Sequence, residues 1–195
     1  MVIQIRVDDR LIHGQVALVW SKELNTPGIV VANDAAVTSD VLRMTLQMAV
    51  PTGKKLLVKS VQDAIKVFNN PKGSEMRIFA LTNSVKDALE LVKGCPGNIQ
   101  SVNIANVGRF ANSPELREEV YRAYVTRASE LSNEGRFDNS PASEKVSLNG
   151  TILLNRKELE AARELTQIPD VAVFHQLIPS NTKIPIKKLI EDAKV

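Results

Sequence analysis

The stretch VIQIRVDDRLIHGQV, Val2 to Val16, decides how the chain is read. Its first part, Val2 to Val7, is an apolar run with the β-branched content of a buried strand. Beyond it, Gln15 to Leu24 brings Val16, Val19, Trp20 and Leu24 round at helical spacing. Between the two lies DDRLIHG, Asp8 to Gly14, with two acids, an arginine and one of the protein's two histidines. In an open parallel sheet, ligands sit outside the carboxyl ends of the strands, where loops feed helices. The chain itself puts this loop there.

The rest of the sequence repeats the strand-helix theme. Gly28 to Ala32 reads as a second buried strand, and Thr38 or Ser39 can cap a helix with the stripe Val41, Leu42, Thr45, Leu46 and Ala49 before Pro51 stops it. Lys55 to Val58 and Arg77 to Leu81 are short apolar runs, followed by the near-identical phrases SVQDAI (Ser60 to Ile65) and SVKDAL (Ser84 to Leu89). In each phrase a serine and an acid three residues later make a capping box, so the echo is one of architecture. Ile99 to Ala105 is a fifth strand, leading to the turn Asn106-Val107-Gly108. Ser113-Pro114 then opens a helix with Leu116, Val120, Tyr124, Ala128 and Leu131 on one stripe, and Ser132 to Glu144 reads as a flexible loop. Lys145 to Leu148 and Thr151 to Leu154 flank Asn149-Gly150, a two-residue hairpin signal that predicts an antiparallel edge. Asn155 with Glu158 opens a helix to about Thr166, Asp170 to Leu177 is a last strand, and Pro185 to about Ala193 a last helix. The expected class is α/β, a three-layer open and mainly parallel sheet with helices on both faces and an antiparallel edge hairpin.

Composition narrows the function. A chain of 195 residues with 44% hydrophobic and 24% charged residues is long enough for an ordinary core, and no apolar run approaches the roughly 18 residues of a membrane helix. No secretory signal is visible, so a cytoplasmic home is expected. Cys95 is alone and reads as a small apolar filler, and one thiol with two distant histidines makes no structural zinc site. A net charge of +3 with dispersed signs and only 4% aromatic residues argues against nucleic acid.

The loop carries two readings. Asp9 can simply cap, Arg10 can pair with Asp8, and His13 can be a polar surface residue. In the other reading an imidazole with a free nitrogen acts as nucleophile, Arg10 offers a planar charged fork to phosphoryl oxygens, Asp8 or Asp9 fixes the ring tautomer, and the helix entry at Gly14 or Gln15 supplies amides and a positive dipole end. No Walker loop, dinucleotide fingerprint, nucleophile elbow or metal cluster competes with it.

The string RVDDRLIHGQV from Arg6 to Val16, with Trp20, resembles the signature of the cytoplasmic IIB component of the mannose/fructose/sorbose family of the bacterial phosphoenolpyruvate-dependent sugar phosphotransferase system. The likeness continues through IVVANDAAVTSDVLRMTLQMAVPTG (Ile29 to Gly53) and NIANVG (Asn103 to Gly108), and covers all but about 109–144. It implies a single IIB domain over 1–195 with an inserted helix and flexible loop at about 109–144. It also implies a phosphoryl relay: His13 accepts the group on Nδ1 from a phosphohistidine of the IIA component and passes it to a sugar held by the membrane components IIC and IID. Arg10 would neutralise the moving group, Asp8 or Asp9 would orient the loop, and neither metal nor cofactor is needed.

Other positions fit around that centre. Asn33 and Asp34 follow the second strand on the same rim, where site support and helix-entry chemistry weigh equally; Asn106 and Gly108 occupy the turn after the fifth strand and can lend amides to a phosphate; Gln15 lies in the first helical turn. His175, in VAVFHQLIP, is expected to be a satisfied sheet histidine, and Trp20 a core residue. A catalytically silent anion-binding or regulatory homologue of IIB is the alternative, and a homodimer is a further possible assembly, suggested by the added segment.

Overall fold

The computed structural model describes residues 1–73, 75–108 and 145–195. The helix expected from Ser113 and the loop expected to Glu144 lie outside these residues. β1 (Val2–Asp8) is the central strand, parallel to β4 (Ile78–Thr82) on one side and to β5 (Ser101–Asn106) on the other. With β2 (Gly28–Ala32), β3 (Lys55–Lys59), β8 (Ala172–His175) and β9 (Ile184–Pro185) they form one sheet in the order β3-β2-β4-β1-β5-β8-β9. Only β9 runs antiparallel to its neighbour.

Alternate side chains of the strands feed two cores. On one face Val7, Val30, Ala32, Ile78, Ala80 and Ile104 meet α4 (Val61–Phe68), α5 (Val85–Gly94), α6 (Arg156–Leu165) and α7 (Ile186–Asp192). On the other, Ile29, Val31, Phe79 and Leu81 meet α1 (Gly14–Glu23), α2 (Asp34–Thr38) and α3 (Asp40–Met48). Neighbours in sequence therefore go to opposite sides, which is why the central strands read as unbroken apolar runs. The three-layer arrangement is the expected one.

The helix entries follow the sequence closely. Side-chain oxygens of Ser39, Ser60, Ser84 and Asn155 accept from the amides of Leu42, Asp63, Asp87 and Glu158. One cap is unexpected. The Glu158 amide donates to its own cap at Asn155, but its carboxylate crosses to α5 and accepts from the Val85 amide at 2.6 Å. The apolar stripes also turn slightly from expectation: Val19 and Val41 are 41% and 59% exposed, while Ala17 and Trp20 of α1 and Leu42 and Leu46 of α3 are buried. A residue one step along a helix lies about 100° round it, so two adjacent apolar positions cannot both face the sheet squarely.

The hairpin at Asn149-Gly150 is present as β6 (Val146–Asn149) and β7 (Ile152–Leu154), with the Asn149 side chain accepting from the Thr151 and Ile152 amides across the turn. It makes a two-stranded sheet of its own, joined to the end of β5 through Val107, whose amide donates to Thr151 and whose carbonyl accepts from Leu153. The antiparallel edge of the large sheet is β9 instead. The approach is close enough to demand glycine next door: Gly108 has φ +80°, and a Cβ there would stand 1.8 Å from the Leu153 carbonyl oxygen. Gly108→Ala should therefore cost more than about 3 kcal/mol in urea unfolding.

Burial, then Glu158 and Glu90, push the Asp87 carboxyl up to about 7 from the ordinary 3.8. The folded chain thus keeps a proton that the unfolded chain releases near pH 4, so this group subtracts stability as pH rises from about 4 to 7. Asp87→Asn keeps an oxygen for the Thr82 hydroxyl that donates to it. It should gain on the order of 2 kcal/mol at pH 8 and change little near pH 4, measured from unfolding midpoints at the two pH values.

Candidate functional site

Two buried side chains hold the loop between β1 and α1. Leu11 and Ile12, 3% and 5% exposed, enter the core beneath α1 and α3, so their neighbours Arg10 and His13 are carried at the rim. The turn is tight: the Leu11 amide donates to the Asp8 carbonyl, and Leu11 takes φ +53°. That left-handed backbone costs about 1–2 kcal/mol in a residue with a Cβ, and the burial of the leucine offsets it. Such local strain is characteristic of sites where geometry matters more than stability.

Under the loop runs a chain of charge. Asp8 is fully buried and meets the Arg6 Nη2 at 3.0 Å through one carboxylate oxygen. Its other oxygen accepts from the Arg10 amide at 3.2 Å and lies 3.6 Å from the Arg10 Nε. The Arg6 guanidinium, equally buried, also donates through Nη1 to the Gln176 carbonyl and lies 5.4 Å from the centroid of the Trp20 ring. Trp20 in turn donates from Nε1 to the Leu177 carbonyl. Trp20 is thus the core residue expected, with one polar tie. Arg6 is the participant that sequence reasoning missed. The available signal was its spacing from Asp8, since residues two apart on a strand share a face; the partner at Gln176, 170 residues away, left no local trace.

His13 immediately precedes α1, with extended backbone (φ −139°, ψ 121°) and a carbonyl that accepts from the Val16 and Ala17 amides. Its ring does not cap the helix. Both ring nitrogens are covered from water and make no hydrogen bond of normal geometry, although the Leu11 backbone lies near enough to act on the ring. Burial is the strongest influence on the imidazole and lowers its pKa; Asp8 opposes this, and Arg10 and Arg6 add to it. The ring is therefore mainly neutral at pH 7, with a lone pair on its unprotonated nitrogen. Unpartnered buried polar atoms gather on this side of the sheet: besides His13 they are Gln4 Nε2, Arg6 Nε and Gln176 Oε1. Native folds rarely leave such groups unmade without a functional reason.

The remaining expected residues separate into those at the loop and those that are not. One carboxylate oxygen of Asp9 accepts from the Gly108 amide at 3.1 Å, and its own amide donates to the Asn106 carbonyl, so Asp9 ties the loop to the turn after β5. Asn106 and Gly108 thus brace the loop from β5. Gly14, the first residue of α1, is exposed, and nothing lies within 4 Å of where its Cβ would be. Gln15 follows it in the first turn. Asn33 and Asp34 stand on the same rim beyond β4, and their seen contacts are those of helix entry: Asn33 caps α2 and donates to Asn83, and Asp34 accepts from the Val61 amide that starts α4. His175 is the satisfied sheet histidine expected, its Nδ1 donating to the Ile104 carbonyl at 2.8 Å. Cys95 is buried, and burial raises its thiol to about 11, as suits a filler. Among the described residues no three His, Cys, Asp or Glu side chains converge as a metal site, and no helix is long and apolar enough to cross a membrane.

Comparison with known proteins gives this geometry a context. Residues 2–120 match the family model of the PTS system sorbose subfamily IIB component. A probable phosphotransferase enzyme IIB component of Streptococcus pyogenes serotype M6 is 46% identical over 190 residues, 97% of this chain and 99% of that protein. The mannose-specific EIIAB component of Escherichia coli is 40% identical over 102 residues, 52% of this chain and 31% of that protein. Among solved structures, the IIBSor domain of the sorbose permease from Klebsiella pneumoniae superposes with a TM-score of 0.75 at 26% identity, covering 98% of this chain and 97% of that one. The chain belongs to the IIB components of the sorbose and mannose family of the sugar phosphotransferase system, phosphotransferases that relay a phosphoryl group.

Proposed function

We propose that His13 is the residue that carries the phosphoryl group, taken from a phosphohistidine of a IIA component and given to a sugar held by the membrane components IIC and IID. The observation that carries this reading is a neutral imidazole held by no side chain, set at a helix entry within the field of the Arg10 guanidinium. On accepting, the donor's P–N bond breaks with its electron pair returning to the donor imidazole, while the His13 lone pair, on Nδ1 by family resemblance, forms the new P–N bond. On giving, that P–N bond breaks with its electron pair returning to the His13 nitrogen, a sugar hydroxyl oxygen forms the new P–O bond, and the hydroxyl proton passes to a base of the sugar-holding partner or to water. Both His13 nitrogens are covered in this structure, so docking has to uncover the ring before either step.

The surroundings suit a reversible carrier. α1 has no side-chain cap, unlike α2 to α6, and helix geometry leaves the Gly14 and Gln15 amides without intrahelical acceptors. The bare Gly14 keeps room there. Asp8 touches the Nε of Arg10, so the two outer nitrogens of that fork remain for phosphoryl oxygens. One carboxylate between two guanidiniums leaves a single net positive charge locally, which attracts the group without trapping it. Positioning and charge then supply the catalysis, as is general for phosphoryl transfer. On this reading 1–195 works as one IIB unit in the cytoplasm, docking on its membrane partners; the name of the Escherichia coli relative, EIIAB, joins the IIA and IIB functions this scheme pairs.

Phosphoenolpyruvate, the general phosphotransferase proteins and a IIA component should give an acid-labile, alkali-stable adduct on His13, absent in His13→Ala. Arg10→Gln should slow its formation about a hundredfold. An adduct on another side chain, or none, would sink the reading. Because the imidazole pKa lies below its usual value of about 6.5, the initial rate should hold from pH 8 to 7 and fall only below about 6.5, as protonation fills the lone pair. Rates measured in buffers from pH 5 to 8 check this.

A further inference from the structure

Arg6 enters the scheme above only as part of the local charge balance, yet it is buried among the core residues at 1% exposure. A buried ion pair is an expensive way to hold a strand, since apolar side chains of similar size often serve as well or better. Here the expense is increased by the Arg6 Nε, which is buried without a partner. What the arginine does uniquely is electrostatic: it occupies the inner oxygen of Asp8 at 3.0 Å. Arg10, with a side chain 42% exposed, meets the outer oxygen only through its amide and a 3.6 Å approach of Nε.

The division between the two arginines has a consequence. Without Arg6, Asp8 would be a fully buried carboxylate with Arg10 as its nearest cation, and the most favourable response is a two-pronged pair that draws the Arg10 fork inward. We infer that Arg6 is a positioning residue for transfer at His13: by neutralising Asp8 from beneath the loop, it leaves the outer guanidinium nitrogens of Arg10 for the phosphoryl group. Its second bond, to the Gln176 carbonyl, and its contact with Trp20 fix it from the side of the turn that follows β8. The inference rests on the reading of His13 as the phosphoryl acceptor.

The test uses the full chain with Arg6→Gln, Arg6→Lys and Arg10→Gln, singly and combined. NMR titration of His13 and the rate of transfer from a phosphorylated IIA component are the two readouts. Arg6→Gln removes a cation that lowers the His13 pKa, so the imidazole pKa should rise by about half a unit or more and transfer should slow about tenfold. The loss caused by Arg10→Gln should shrink from about a hundredfold to about tenfold in that background, because the fork has already been withdrawn. Arg6→Lys keeps the charge but not the two-ended reach, and should titrate like the parent while transferring a few-fold more slowly. A folded Arg6→Gln with parental titration and additive losses would overturn the inference and leave Arg6 a structural anchor. If Arg6→Gln fails to fold, the same cycle with Arg6→Met, which also removes the charge but packs as an apolar chain, decides, additive losses again overturning it. An unmodified His13 in the parent chain would overturn the relay reading itself, whereas additive losses in a chain that does phosphorylate His13 overturn only the role of Arg6.

Discussion

A carboxylate with no access to water, at the end of the central strand, is the constraint around which this molecule is arranged. A carboxylate buried there has to be paired, and Asp8 takes its partners from below, from Arg6, and from above, from the backbone and side chain of Arg10. The need to satisfy it bends the chain sharply after β1, and that bend sends Leu11 and Ile12 into the core. The apolar anchor and the buried charge act together: one fixes where the loop lies, the other fixes which way its polar side chains are held. Neither alone would place an imidazole at the mouth of α1.

The surrounding architecture keeps that arrangement at the carboxyl ends of the central strands. β1 lies between two parallel neighbours, and the helix that follows it packs on the opposite face from the helix that follows β4. Chains that depart from adjacent strands to opposite faces open a crevice, the general location of ligands in such folds. Asp9, bonded to the turn after β5, closes the loop to the other side. Support comes from β1, β5 and the turn after β8, elements far apart in sequence and adjacent in the sheet.

Much of this was legible in the sequence, and what was not has a common cause. The strand, loop and helix of the first two dozen residues follow from apolar spacing, and the serines at 39, 60 and 84 announce their helices because a cap acts over three residues. The loop histidine could be singled out for the same local reason. Side chains whose partners are remote were unreadable: Arg6 with Gln176, Asp9 with Gly108, and Glu158 with Val85. The orientation of Val19 and Val41 was missed because a stripe of apolar letters defines a helix face only to within one position. Asn33 and Asp34 were equally balanced between two roles, and only the neighbouring chain segments, at Asn83 and Val61, show the contacts they make.

The tryptophan beneath the loop gives the protein an intrinsic optical probe. It is the one indole in the chain, sealed from solvent, with a guanidinium beside its ring and its N–H bound to the Leu177 carbonyl. An indole so placed has an excited state whose energy responds to charge nearby, and Arg6 is linked through one carboxylate to the loop that bears His13. Light emitted by this single fluorophore therefore reports the electrical condition of the loop without any label being attached.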